Sequence, residues 1–150
     1  MGVISDTHGL LRPEVISAFE GVSLIIHAGD VGRPAVLEAL GNIAHVVAVR
    51  GNTDGDAWAF RLPLTEVVTV AGISLYVLHD LSRLDLSPAV SGFNAVISGH
   101  THEPLIKGRN DVLYINPGSA GPKRFTLPVS IALLHINNNS LKAELITLAV

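Results

Sequence analysis

The stretch "VSLIIHAGDVGRPAVLEALGNIAHVVAVRGN", residues 22–52, carries the pattern on which the fold turns. The apolar run "VSLIIHAGD" reads as a strand that gives out at Gly29-Asp30. "RPAVLEALG" reads as a helix with Gly41 at its end, and "AHVVAVRGN" as a further strand closing on Gly51-Asn52. Just upstream, "GVIS" is a short apolar strand and "RPEVISAFE" a helix, with Pro13 suited to a first helical turn. Strand, helix, strand, helix, strand at this spacing predicts parallel strands joined by right-handed crossovers.

Downstream the pattern changes. "LTEVVTVAGISLYVLHD" predicts two strands joined at Ala71-Gly72. "NAVISG", "LIKGRN", "VLYINPG", "SIALLHINNN" and "SLKAELITL" continue as strands, with turns at Arg109-Asn110-Asp111 and at the asparagines 137–139. The last two segments read as an antiparallel pair, the final one alternating as a half-exposed strand does. A parallel α/β half followed by a β-rich half predicts two sheets packed face to face with helices outside. No linker, repeat or low-complexity segment interrupts residues 1–150, so one domain is expected.

Composition narrows the functions. Apolar residues make up 48% and charged residues 15%, enough apolar surface for a large core and too little charge for disorder. A net charge of −3 offers no basic field, so no nucleic-acid polymer is expected as partner. The absence of cysteine excludes disulfides, thiolate zinc sites and cysteine nucleophiles. No apolar run approaches a membrane span, and the chain opens directly into a strand and a charged turn. A cytoplasmic protein with no membrane partner is therefore the expectation. The compositional oddity is seven histidines among so few charged residues.

The polar residues gather at strand ends. The first strand runs into Asp6-Thr7-His8, the second into Gly29-Asp30, the third into Gly51-Asn52-Thr53-Asp54, the hairpin's second strand into His79-Asp80, and "NAVISG" into His100-Thr101-His102. In a strand, residues i and i+2 share a side, so His100 and His102 can face one point. Carboxyl ends of strands are where α/β sheets bind ligands. Each residue also has a plainer reading: Asp30 as the cap of the helix at Arg33, Asn52 as a turn with Gly51, His79 as a satisfied strand-end histidine. Singly these readings stand level with a functional one, but together they require five coincidences at one sheet edge. His27, His45 and His135 lie within apolar strands without such company and are read as structural.

Asp6, His8, Asp30, Asn52, His79, His100 and His102 are too many ligands for one four-coordinate ion. They suit two divalent ions sharing a carboxylate, at the ~3.5–4 Å separation of two-metal hydrolases. Imidazole and carboxylate donors without thiolate favour transition metals, Mn first, with Fe, Zn, Ni and Co as the other candidates. The two ions bring about +4. Two carboxylates and a bridging hydroxide subtract three, which leaves a site poised for an anion.

Asp6-x-His8, Gly29-Asp30, Gly51-Asn52, His79 and Gly99-His100-x-His102 resemble, in order, the signature of the calcineurin-like metallophosphoesterases. The chain length and "NPGSAGPKR", Asn116 to Arg124, resemble the small bacterial and archaeal phosphodiesterase branch. The resemblance implies an α/β fold, a four-layer α-β-β-α sandwich of two mixed sheets flanked by helices. It further implies a metal-dependent phosphodiesterase acting through a metal-bridging hydroxide. Asp6, His8 and His102 would hold one metal, Asn52, His79 and His100 the other, and Asp30 would bridge. Asp30, Asn52 and His100 are then expected to take part directly in catalysis on a small phosphodiester. The loop Asn116 to Arg124 is expected near the metal edge, or organising an interface, without ligating metal.

Two departures from the family pattern matter. Thr53 stands where many members carry a histidine able to protonate the leaving group, and Leu81 stands where a second histidine often follows the one equivalent to His79. Weak catalysis, or undemanding substrates, is the expectation. The alternative is a non-catalytic interaction scaffold of the same fold, like the retromer subunit, although a scaffold need not keep all seven ligands. A weaker third reading is a metal-binding regulator that senses a nucleotide without turning it over. A homodimer is mildly preferred.

Overall fold

Alternation of side chains between the two faces of each strand is what assembles this chain into layers, with the central strands buried on both. The computed structural model describes residues 1–150. In chain order the elements are β1 (Gly2–Ile4), α1 (Pro13–Ala18), β2 (Leu24–His27), α2 (Pro34–Gly41), β3 (His45–Ala48), β4 (Thr65–Val70), β5 (Ile73–Leu78), β6 (Ala95–Ile97), β7 (Leu105–Arg109), β8 (Val112–Asn116), β9 (Ser130–Asn137) and β10 (Ser140–Thr147). One five-stranded sheet has the order β10-β9-β1-β2-β3, the other β4-β5-β6-β8-β7. β1, β2 and β3 are parallel, with β9 and β10 completing the sheet antiparallel. In the second sheet β5, β6 and β8 are parallel, and β4 and β7 are antiparallel edges.

Period-two alternation sets the two faces of each strand. Val3, Ile26, Leu75, Val77, Ile97, Ile115 and Leu134 meet between the sheets. Their neighbours Ile4, Ile25 and Ile131 turn outward and are covered by Val15 and Phe19 of α1 and by Val36 and Leu40 of α2. Pro13 and Pro34 open these helices, where a missing N–H costs nothing. The outer face of the second sheet buries Tyr76, Leu78, Val96 and Val112 under Leu84, Leu86 and Phe93. That fourth layer is a loop with a 3₁₀ turn at Leu81–Arg83, because Asp85, Ser87, Pro88 and Gly92 interrupt any longer helix.

The three hairpin turns are two residues long, and both residues of each take positive φ: Ala71-Gly72, Asn110-Asp111 and Asn138-Asn139. That is the type I′ pattern whose twist matches paired strands. Strand directions put these turns at one end of the sandwich and the carboxyl ends of β1, β2, β3, β5 and β6 at the other. No helix is long and apolar enough to cross a membrane.

Candidate metal centre

All seven residues singled out above meet at that second end. Each carboxylate spends one oxygen on the backbone and presents the other. Asp6 Oδ2 accepts from Ser5 Oγ at 2.7 Å and from the His100 amide at 3.0 Å. Its Oδ1 is left 3.2 Å from His102 Nε2 and 3.9 Å from both His8 Nε2 and His79 Nε2. Asp30 Oδ1 accepts the Thr53 amide at 2.9 Å, and Oδ2 lies 3.3 Å from His79 Nε2 and 3.8 Å from His8 Nε2. Asp30 therefore caps no helix, and α2 has no side-chain cap.

The imidazoles are aimed in the same way. His79 Nδ1 donates to Ala28 O at 2.7 Å, which turns Nε2 toward Asp30 and toward Asn52 Oδ1 at 3.0 Å. Asn52 Oδ1 is also 3.0 Å from His100 Nδ1, joining the exposed His100 to the buried part of the site. Asp6, Asp30, His79 and His102 are buried, His8 is half-buried, and Asn52 and His100 are open to solvent. The ligand atoms of Asp6, His8 and His102 lie within 4.8 Å of one another, as do those of Asp6, Asp30 and His79.

Whether these residues suit a cation can be judged from their own bonding. Asp6 Oδ1, His8 Nε2 and His102 Nδ1 are buried without any hydrogen-bond partner. An acceptor oxygen and ring nitrogens buried together unpaired are costly unless an ion satisfies them. The donor set fits a divalent metal.

Backbone conformation marks the same residues. Asp6, His8, Asp30, His100 and His102 have φ of 54°, 46°, 54°, 71° and 64°, the left-handed region that side chains other than glycine take at a cost. Close approach explains two glycines. A Cβ on Gly51 would collide with the Asp30 carboxylate, and one on Gly99 with Ser5 Oγ and with Asp6 Oδ2.

Burial alone would raise the Asp30 carboxyl, but the bond from His79 and the Thr53 amide outweigh it and hold it well below the usual range. Burial pushes His79 down, while Asp30 and then Asp6 more than reverse this, so its pKa stands raised. His79 Nε2 and Asp30 Oδ2 stand 3.3 Å apart. Burial lowers His102; the Asp6 charge opposes the shift, and Arg124 reinforces it.

Sequence reasoning missed two fasteners. Buried Asp54 accepts the amides of Val31 at 3.2 Å, Gly32 at 3.0 Å and Gly51 at 3.0 Å, tying the Asp30 turn to the Asn52 turn. Its only signal was its place after Gly51-Asn52-Thr53. His27 is buried and satisfied, as read, but it also links ligand turns. Gly29 N–H donates to His27 Nδ1 at 3.2 Å, so Nε2 carries the proton and donates to Thr7 Oγ1 at 3.0 Å, which in turn donates to Val31 O at 2.8 Å. His45 is exposed, and His135 makes an exposed pair with Glu144 at 3.4 Å. The loop after β8 packs under the site: Ser119 Oγ donates to Asp6 O at 2.9 Å and Asn116 Nδ2 to Gly99 O at 2.9 Å. It contributes no ligand to either three-residue cluster.

Two five-stranded sheets with histidines and carboxylates at their shared carboxyl edge define a phosphoesterase architecture. Residues 1–139 match the calcineurin-like phosphoesterase superfamily domain, and the chain belongs to that family of phosphoester hydrolases. It is 38% identical to a probable metallophosphoesterase of Methanocaldococcus jannaschii, over 97% of this chain and 80% of that protein. A solved archaeal phosphodiesterase superposes with a TM-score of 0.79 at 28% identity, covering 97% of this chain and 98% of that one. Zinc-complexed Vps29 of Entamoeba histolytica shares the fold, with a TM-score of 0.73 at 24% identity over 97% of both chains.

Proposed function

We propose that this chain hydrolyses small phosphodiesters with two divalent transition-metal ions, Mn first, with Fe, Zn, Ni or Co as the other candidates. Asp6, His8 and His102 would hold one ion, Asn52, His79 and His100 the other, with Asp30 between them. The observation that carries this reading is the free oxygen of Asp30, 3.8 Å from His8 Nε2 and 3.3 Å from His79 Nε2, beside the unpaired Asp6 Oδ1 and His8 Nε2. When bound, the ions would polarise the phosphoryl group and lower the pKa of water between them.

The chain's own residues then set the substrate. Ser5, Thr53 and the His100 amide hold the two carboxylates so that their free oxygens converge before any ion arrives, which is preorganisation. Neither Thr53 nor Asp80 offers a proton to a leaving oxygen. Thr53 contributes its amide to Asp30, and Asp80, 3.8 Å from His100 Nε2, is held ionised by its Ser82 hydrogen bonds. Substrates whose leaving group needs no protonation, aryl esters above all, are therefore favoured. The singly charged diester matches the residual charge of the site, so diesters should outrun monoesters.

Initial rates on matched bis-aryl and mono-aryl phosphates with added Mn²⁺ test the reading. A metal-dependent rate, higher on the diester, is expected. Inactivity on both with two metals bound would instead favour the interaction scaffold.

A further inference from the structure

The turn that carries His100 and His102 is strained. Thr101 N–H donates to Gly99 O at 2.8 Å across His100, whose φ is 71°. A bond from residue i+2 back to residue i around a positive φ is the rare, strained form of the γ-turn. His102 follows with a φ of 64°, so both histidines take the left-handed region. Backbone strain of this kind costs about 1–3 kcal/mol per residue and persists only where the surroundings over-determine it. A typical hydrogen bond contributes about 1 kcal/mol net, so several are needed to hold such a turn before any ion arrives.

Two side chains from elsewhere in the fold supply those bonds. Asp6 Oδ2 accepts the His100 amide at 3.0 Å, but Asp6 belongs to the candidate ligand set itself. Asn116, buried at the end of β8, does not. Its Nδ2 donates to Gly99 O at 2.9 Å and to Thr101 Oγ1 at 3.1 Å, and its Oδ1 accepts the Gly118 amide at 2.9 Å. Gly99 O can only accept and Gly118 N–H can only donate, so these partners fix which way the Asn116 amide points. The side chain thus grips the residue before His100 and the residue between the two histidines. Its own footing is firm: Ser130 Oγ donates to Pro117 O at 2.7 Å, and a Cβ on Gly118 would fall on that hydroxyl.

Resting on the two-metal reading above, we propose that Asn116 is a positioning residue for both metal sets. Its amide locks the strained turn at residues 99–101 and so aims His100 at one set and His102 at the other. His100 Nδ1 stands 3.0 Å from Asn52 Oδ1, and His102 Nε2 stands 3.2 Å from Asp6 Oδ1. One turn therefore serves two sets, and loosening it is felt by both ions. The role requires a donor. An aspartate at residue 116 has the same shape and can still accept from Gly118, but a carboxylate has nothing to give Gly99 O.

Co²⁺ titration of the metal-free protein tests this without turnover, with calorimetry reading affinity and visible absorption reading coordination. Asn116→Asp should weaken both ions about tenfold or more and alter the Co²⁺ absorption bands, with the circular dichroism of wild type. Asn116→Ala, which removes the donor without burying a charge, should do the same. Ser130→Ala loosens the footing of the same loop but leaves the turn's own bonds in place. It should lower the melting temperature and keep Co²⁺ affinity within about twofold of wild type. If both Asn116 variants bind two ions as tightly as wild type, the proposal is overturned. Loss of only one ion would contradict the shared role. An equal loss in Ser130→Ala would also overturn it, by making loop packing rather than the Asn116 amide responsible. Should wild type itself fail to take up two ions, the two-metal reading fails and the proposal falls with it.

Discussion

Thr53 donates its backbone amide to Asp30 Oδ1 at 2.9 Å, and its exposed side chain also faces that carboxylate. The 2.9 Å bond is made by the main chain, so the carboxylate keeps it whatever side chain stands at residue 53.

Thr53→His should therefore bind as much metal as wild type. If the new imidazole reaches the leaving oxygen, alkyl diesters should gain at least about tenfold in kcat, within the ~10²–10⁴ range of general acid catalysis, while aryl diesters change little. Steady-state rates on an alkyl and an aryl diester of matched size check this. Equal gains on both would show that leaving-group protonation is not what limits the wild type.

Asp54 carries three backbone amides from two loops, and those of Val31 and Gly51 are buried. Asp54→Ala should cost about 3 kcal/mol or more in denaturant unfolding, and weaken metal affinity as the Asp30 and Asn52 turns part. Asp54→Asn keeps one acceptor oxygen and should fall between. An Asp54→Ala protein as stable as wild type would remove Asp54 from the account.

A Cβ at residue 51 would fall on the Asp30 carboxylate. Gly51→Ala should turn that carboxylate away and lower metal content while the far end of the sandwich stays folded. Amide exchange at the Ala71-Gly72 and Asn110-Asp111 hairpins should match wild type. Full metal loading in Gly51→Ala would contradict the geometry.

Acid should destabilise the metal-free protein through His27. Burial, and then the charge of His79, bring its pKa from 6.5 down to about 3. Between those values the unfolded chain holds the extra proton, so stability falls as pH falls, by up to ~1.4 kcal/mol per pH unit from this one group. Urea midpoints at several pH values should fall more steeply for wild type than for His27→Gln. Parallel curves would mean that His27 takes up a proton without unfolding.

Most of the scaffold was legible in the chain because local chemistry and burial agree along it. Val3 and Ile4, or Leu75 and Tyr76, alternate between two apolar layers, and Ala71-Gly72 and the asparagines at 138 and 139 suit the positive φ of type I′ turns. The clustering of the seven candidate residues was legible because strand ends collect them and glycine stands beside Asp30, Asn52 and His100. The fasteners were not. Asp54 and His27 act on backbone amides and hydroxyls of other loops, a relationship that exists only once β1, β2 and β3 lie side by side.

The central claim is that Asp30 joins two metal sets, and metal content per chain tests it most directly. Purified wild type should carry about two transition-metal ions, His102→Ala should lose chiefly one, and Asp30→Ala should lose both. Elemental analysis finding Asp30→Ala still fully loaded, with circular dichroism showing it folded, would contradict the account.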